Sequence, residues 1–192
     1  MSAPPPDLER FPPQLLYHLL AAARRFEPEY YAHLCRRFHV DADRILGLFG
    51  KVEQLGGGQL TELLAELRDH QSYSDIAYLA GRNAFLMACD DGKQSLPGGG
   101  AARFGQLLKL LLPPFLGRST FHLMTKGRVQ IIEIHNSVFA RDVFAIRPLC
   151  GFYTGFLAEC AAHCMEAPCP VAEVRCKAME PDTASCLFQV AL

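Results

Sequence analysis

Apolar residues recur at helical spacing through most of the first half of the chain. Leucines and alanines repeating every three or four positions predict a helix over 15–25, which the Glu27-Pro28 pair ends. A second, shorter helix with a mixed polar face follows over 30–38. Asp41 is a suitable N-cap for a third, running to about residue 55 with Ile45, Leu48, Phe49 and Val52 on one stripe. The glycine run 56–58 breaks the chain, and 60–67 makes a further amphipathic helix. Ser72 or Ser74 can cap the next, 75–89, in which Ile76, Leu79, Ala80 and Phe85 suit burial. A glycine-rich stretch then precedes an apolar helix over 101–112, stopped by Pro113-Pro114.

Beyond that point the period changes. Segments 119–124 and 128–135 are rich in β-formers and flank Lys126-Gly127, which reads as a hairpin turn. A helix is expected over 149–164, then a second hairpin from 171–178 and 186–191, turned by MEPDTAS. Helices, hairpin, helix, hairpin is the order of an α+β fold with a small antiparallel sheet, and parallel βαβ crossovers are not indicated.

Composition narrows the function classes. The 192 residues carry a formal net charge of -1, which argues against a nucleic-acid backbone or an anionic membrane as bulk partner. Half the residues are hydrophobic, yet no apolar run approaches the roughly 20 residues of a membrane span. The N-terminus lacks the pattern of a secretory signal, and a reduced, cytoplasmic protein is expected. Six of the eight cysteines fall between Cys150 and Cys186, too unevenly for a framework stapling the whole chain.

Strand alternation places Ala172, Val174 and Cys176 on one face of the last hairpin, with Glu173 and Arg175 opposite. On the returning strand Cys186 shares a face with Phe188 and Val190. Cys150 opens the preceding helix, whose dipole favours a thiolate. Three thiolates from a helix start and two paired strands can supply most of a tetrahedral zinc site. Equally, buried free cysteines are ordinary small hydrophobes. Cys160 and Cys164, one helical turn apart, read first as packed thiols, and Cys169 as a loop thiol.

The segment Cys150-Gly-Phe-Tyr-Thr-Gly155, then Glu173-Val-Arg-Cys176, then Cys186, resembles the end of the 4-vinyl-reductase domain. NSVFARD, from Asn136 to Asp142, also resembles the segment after that family's first hairpin. The family includes a bacteriochlorophyll-pathway protein and sensor domains of aromatic-responsive bacterial activators, and is distantly related to TRAPP trafficking subunits. The resemblance divides the chain into an N-terminal helical extension, 1–71, for capping or dimerisation, and a ligand-binding domain, 72–192. It implies an apolar pocket between helices and sheet, beside a structural zinc held by three cysteines and a glutamate. By that pattern Cys150, Cys176 and Cys186 are ligands. The family's acidic position falls at Phe139, so the fourth ligand moves to Glu133, His135 or Asp142, or zinc is absent. Glu133 and His135 share a strand face with Val129 and Ile131, and would need to point inward.

Leucines nearly all round 107–112 mean burial on several sides or a cavity-lining face. The expected pocket lining is Phe104, Leu108, Leu111, Phe121, Phe139, Phe152 and Phe156, with Arg147 and Tyr153 orienting a guest. His122 is a further polar candidate. A phenol, a tetrapyrrole and a lipid all suit such a pocket. No catalytic residue is expected: Gly98 to Gly105 lacks the order of a dinucleotide loop, and a closed zinc site is structural. Three roles follow: a sensor or carrier of a hydrophobic aromatic or tetrapyrrole ligand, an enzyme or accessory of pigment metabolism, and a dimeric adaptor. A sensor of this length needs a partner protein to carry its output, and a homodimer is expected.

Overall fold

The computed structural model describes residues 12–40, 57–91, 100–140 and 143–192. Among the described residues, six α-helices pack on a four-stranded antiparallel sheet, the α+β arrangement the sequence pattern indicates. The helices are α1 (Pro13–Phe26), α2 (Pro28–Phe38), α3 (Gly57–Asp69), α4 (Tyr73–Asp91), α5 (Gly100–Leu111) and α6 (Gly151–Met165). The strands are β1 (Thr120–Lys126), β2 (Val129–His135), β3 (Val171–Arg175) and β4 (Ser185–Ala191), in the order β1-β2-β4-β3. Pro13 and Pro28 stand in the first turns of α1 and α2, where a missing N–H costs nothing. The helix expected over 60–67 is present as α3, which starts inside the glycine run at Gly57. The stripe of Ile45, Leu48, Phe49 and Val52 lies outside the described residues.

The two hairpins join through β2 and β4, which pair from Val129↔Ala191 to His135↔Ser185. Gln130, Ile132 and Ile134 face the helices, and so do Cys186, Phe188 and Val190. Glu133 and His135 therefore lie on the outer, half-exposed face of the sheet. That corrects the inward orientation a zinc role would demand of them.

One continuous core runs through the molecule. Leu15, Leu16, Leu19 and Leu20 of α1 are fully buried with Ile76, Phe85, Phe152 and Phe156 of the central helices. The apolar stripe of the first helix is thus covered by the same chain. α4 and α6 form the axis of the packing. A Cβ on Gly81 would stand 1.9 Å from the Phe152 carbonyl oxygen, and one on Gly155 2.0 Å from that of Tyr78. The two helices touch backbone to backbone, which any side chain at these positions prevents.

Ala at Gly155 must push the helices apart. We expect Gly155→Ala to lower unfolding free energy by about 3 kcal/mol or more, read from denaturant midpoints. His18 gives a pH signature. Buried against the rings of Phe115 and Tyr17, it has its pKa lowered by desolvation to about 4. Its folded pKa lies below the unfolded value, so the unfolded chain binds the extra proton and stability falls as pH drops below about 6.5. The contribution lost by pH 5 is about 2 kcal/mol, and His18→Gln should flatten that part of the urea stability profile.

Candidate functional site

Four donors from three chain segments meet behind the sheet. The Sγ atoms of Cys150, Cys176 and Cys186 and a carboxylate oxygen of Glu173 all lie within 4.8 Å of one another. Cys150 is the N-cap of α6. Glu173 belongs to β3, Cys176 follows it directly, and Cys186 is the second residue of β4.

A β-bulge makes this convergence. Glu173 pairs with Phe188 and Arg175 with Leu187, so Val174 is an extra residue that no partner opposes. Val174 turns outward, 46% exposed. Without the bulge, strict alternation sends Glu173 to the face opposite Cys176. With it, Glu173 and Cys176 both turn toward Cys186, while Arg175 stays on the outer face with Leu187. The alternation expected for this strand is therefore corrected: Ala172 and Val174 turn outward, Glu173 turns inward, and the fourth donor is Glu173.

The sulfur atoms are held by short polar contacts. Cys150 Sγ lies 3.3 Å from both Cys186 Sγ and Ser137 Oγ. The backbone N–H groups of Leu149 and Lys177 donate to Cys176 and Cys186 sulfur at 3.5 and 3.4 Å. All three thiols are free.

Four acidic groups in one buried spot cannot all ionise without a cation. Hydrogen bonding with its neighbours Cys150 and Cys186 and with the Leu149 N–H holds the Cys176 pKa far below the ordinary thiol value. Burial, then hydrogen bonding to its two sulfur neighbours, pushes Cys150 well up. The lowering expected from its place at a helix start is outweighed by desolvation. At Cys186 the Cys150 thiol pulls the pKa down, but Cys176 and burial outweigh it and leave it at about 12. Glu173 rises to about 9 through burial and the Cys176 charge. Its Oε1 is buried with no hydrogen-bond partner among the described residues.

These observations test the fit of a metal ion. Zinc bonded tetrahedrally to sulfur at about 2.3 Å needs donors roughly 3.8 Å apart, which this spacing accommodates. A cation would neutralise the cluster and occupy the orphaned carboxylate oxygen. The Cys/Glu cluster can hold a metal.

The other candidates lie elsewhere. Glu133 accepts from Arg175 and Ser185 on the outer sheet face, with His135 beside it, so neither joins the cluster. Asp142 lies outside the described residues. Phe152 and Phe156 pack around Phe115 at centroid distances of 5.6 Å, and Tyr153 sets its ring edge to face on Phe139. Phe104 and Leu108 are buried on α5, and Leu111 and Phe121 pack partly buried at the core's margin. A small cleft, with room for about one water molecule (~10 Å³), lies between α1, α3, the start of α4 and the loop after β2. Leu19, Leu67, Arg68, Tyr73, Val138 and Phe139 line it. It adjoins the cluster, since Tyr73 donates its hydroxyl to Leu149 O at 2.8 Å and Phe139 N–H donates to the Ser137 oxygen beside Cys150. Arg147 closes this corner. Its guanidinium donates to the carbonyls of Arg68, His70 and Gln71 and stands 6.0 Å over the Tyr73 ring.

Neither the family models nor the curated proteins match this chain in sequence. Solved structures do match it in fold. It resembles an H-NOX protein from S. oneidensis in the Fe(II)NO ligation state, at 13% identity and a TM-score of 0.56, over 94% of this chain and 98% of that one. An unliganded Fe(II) H-NOX protein from K. algicida matches at 10% identity and a TM-score of 0.53, over 93% and 95%. The phenol-responsive sensory domain of the transcription activator PoxR, with phenol, overlaps more loosely: 17% identity, TM-score 0.47, 69% and 72% coverage. At these identities what is shared is the fold.

Arg147→Met should remove three carbonyl contacts while keeping the stem. We expect a loss of about 2 kcal/mol in chemical unfolding, the scale of hydrogen bonds to a charged group that is partly buried.

Proposed function

We propose that the chain is a small-molecule-binding domain, a sensor or carrier, pinned by a structural zinc and related to the 4-vinyl-reductase family. The observation that carries this reading is the convergence of Cys150, Glu173, Cys176 and Cys186. The donor set supports zinc: soft thiolates with one carboxylate suit a borderline ion in a closed tetrahedral site, and disfavour calcium or magnesium. Bound there, zinc would supply folding energy rather than catalysis, tying the start of α6 to both strands of the second hairpin. This chain's own residues position it: Ser137 and the Leu149 and Lys177 N–H groups orient the sulfurs, and the Val174 bulge aims the carboxylate.

The ligand is a compact hydrophobic aromatic molecule. Its entry point is the cleft beside Phe139 and Tyr73, which holds about one water molecule (~10 Å³) and must widen to admit a ring, with Arg68 at its polar edge and Arg147 at its wall. The H-NOX proteins of similar fold are described with Fe(II), and a further structure of similar fold is described in terms of heme redox potential and porphyrin distortion. A tetrapyrrole is the less favoured guest here. The positions proposed to surround it (Phe104, Leu108, Leu111, Phe121, Phe152, Tyr153, Phe156) are packed against one another and their neighbours, and typical ligand pockets need roughly 300 Å³ or more. Residues 72–192 form the binding domain and 1–71 its cap, in a cytoplasmic protein without a catalytic role, whose output passes to a partner. The filled interior also favours a second reading, a homodimeric adaptor that binds no small molecule.

Native mass spectrometry of the protein as purified separates these readings. One zinc per chain plus a bound aromatic mass is expected; a metal-loaded, ligand-free dimer supports the adaptor. Cys176→Ser should release the metal and lower Tm by about 10 °C or more. Unchanged metal content and Tm would overturn the zinc role.

A further inference from the structure

The outer face of the sheet carries a second set of metal-type donors, separate from the buried sulfurs. His122 stands directly opposite Glu133 across the β1–β2 pair, and His135 lies two residues further along β2 on the same face. We propose that His122, Glu133 and His135 form a second site, for a divalent transition-metal ion such as Zn²⁺ or Ni²⁺.

The spacing fits one ion. Glu133 Oε2 is 3.6 Å from His135 Nε2, and donors bonded at about 2.05 Å to a tetrahedral ion stand roughly 3.4 Å apart. The rings of His122 and His135 are perpendicular with centroids 5.4 Å apart, and two imidazoles on one such ion have centroids about 5 Å apart. His122 is exposed, so a rotation of its side chain brings the third donor in without disturbing the core.

The carboxylate is oriented as a metal ligand's commonly is. Oε1 accepts from Ser185 Oγ and from Arg175 at 3.0 Å, which leaves Oε2 for an ion on the histidine side. Arg175 balances the carboxylate charge, so the trio is not an acidic trap for calcium or magnesium. Its two neutral imidazoles select a borderline ion instead. Three protein donors leave a fourth position to water or to an outside ligand, unlike the closed cluster behind the sheet. The two sites stand back to back, since Ser185 steadies Glu133 on one face while Cys186 joins the buried cluster on the other.

The test is calorimetric titration of Ni²⁺ into the full chain, free of any histidine tag and carrying one zinc per chain, so that only the buried cluster is filled. Wild-type protein should bind one Ni²⁺ per chain. His122→Gln and His135→Gln should each abolish that binding at unchanged Tm, and Ser185→Ala should weaken it by about tenfold through the misplaced carboxylate. His33→Ala, which removes the histidine beside Glu66, should bind as wild type does. No Ni²⁺ uptake by the wild type, or uptake that survives both His122→Gln and His135→Gln, overturns the proposal. Because the zinc of the buried cluster is counted beforehand by mass, failure of that cluster and failure of this site give different results.

Discussion

Burying four groups that each release a proton is the constraint around which the C-terminal third is arranged. A carboxyl and three thiols in a space under 5 Å wide repel one another when ionised and lack water to spread the charge. The fold answers with N–H donors from Leu149 and Lys177, a polar contact from Ser137, and a Cys176 pKa held far below the ordinary thiol value. Those groups come from the loop after β2, the approach to α6 and the turn after β3. The cluster therefore fixes the relative positions of segments far apart in sequence. Tyr73, bonded to Leu149, extends the linkage to the start of α4.

The bulge at Val174 works at the same level. A one-residue insertion in an edge strand reverses the facing of everything on one side of it. Here it brings an acid and a thiol three positions apart to one spot, while the intervening arginine reaches the opposite face to hold Glu133. One local irregularity thus furnishes donors to both surfaces of the sheet.

Much of the fold was readable from periodicity. The helices α1, α2, α4, α5 and α6 and both hairpins begin and end within a few residues of where apolar spacing, prolines and the Lys126-Gly127 turn put them. Gathering of Cys150, Cys176 and Cys186 followed from their elements, because a hairpin brings Cys176 and Cys186 together at a helix start. The bulge was not readable, since its cause is a register of pairing that hydrophobicity leaves open; Val174 reads as a normal inward residue. Glu173 nonetheless had a signal, its place three residues before Cys176 in the Glu-Val-Arg-Cys run. The pairing register also decided which face Glu133 and His135 take, and alternation alone leaves that choice free. How far aromatic rings fill a core depends on rotamers and helix crossings, which composition does not encode.

The glycine seam between α4 and α6 has a mechanical meaning. Where main chains touch with no side chain between them, neither helix can slide or roll without colliding with the other's carbonyls. The pair behaves as a keel, and the sulfur cluster is moored to one end of it. α1 buries leucines and alanines in the same core, and such side-chain packing can shift by rotamer changes. Any displacement that a visiting molecule causes near Leu19 or Leu67 is then borne by the outer helices, and the hull they cover stays still.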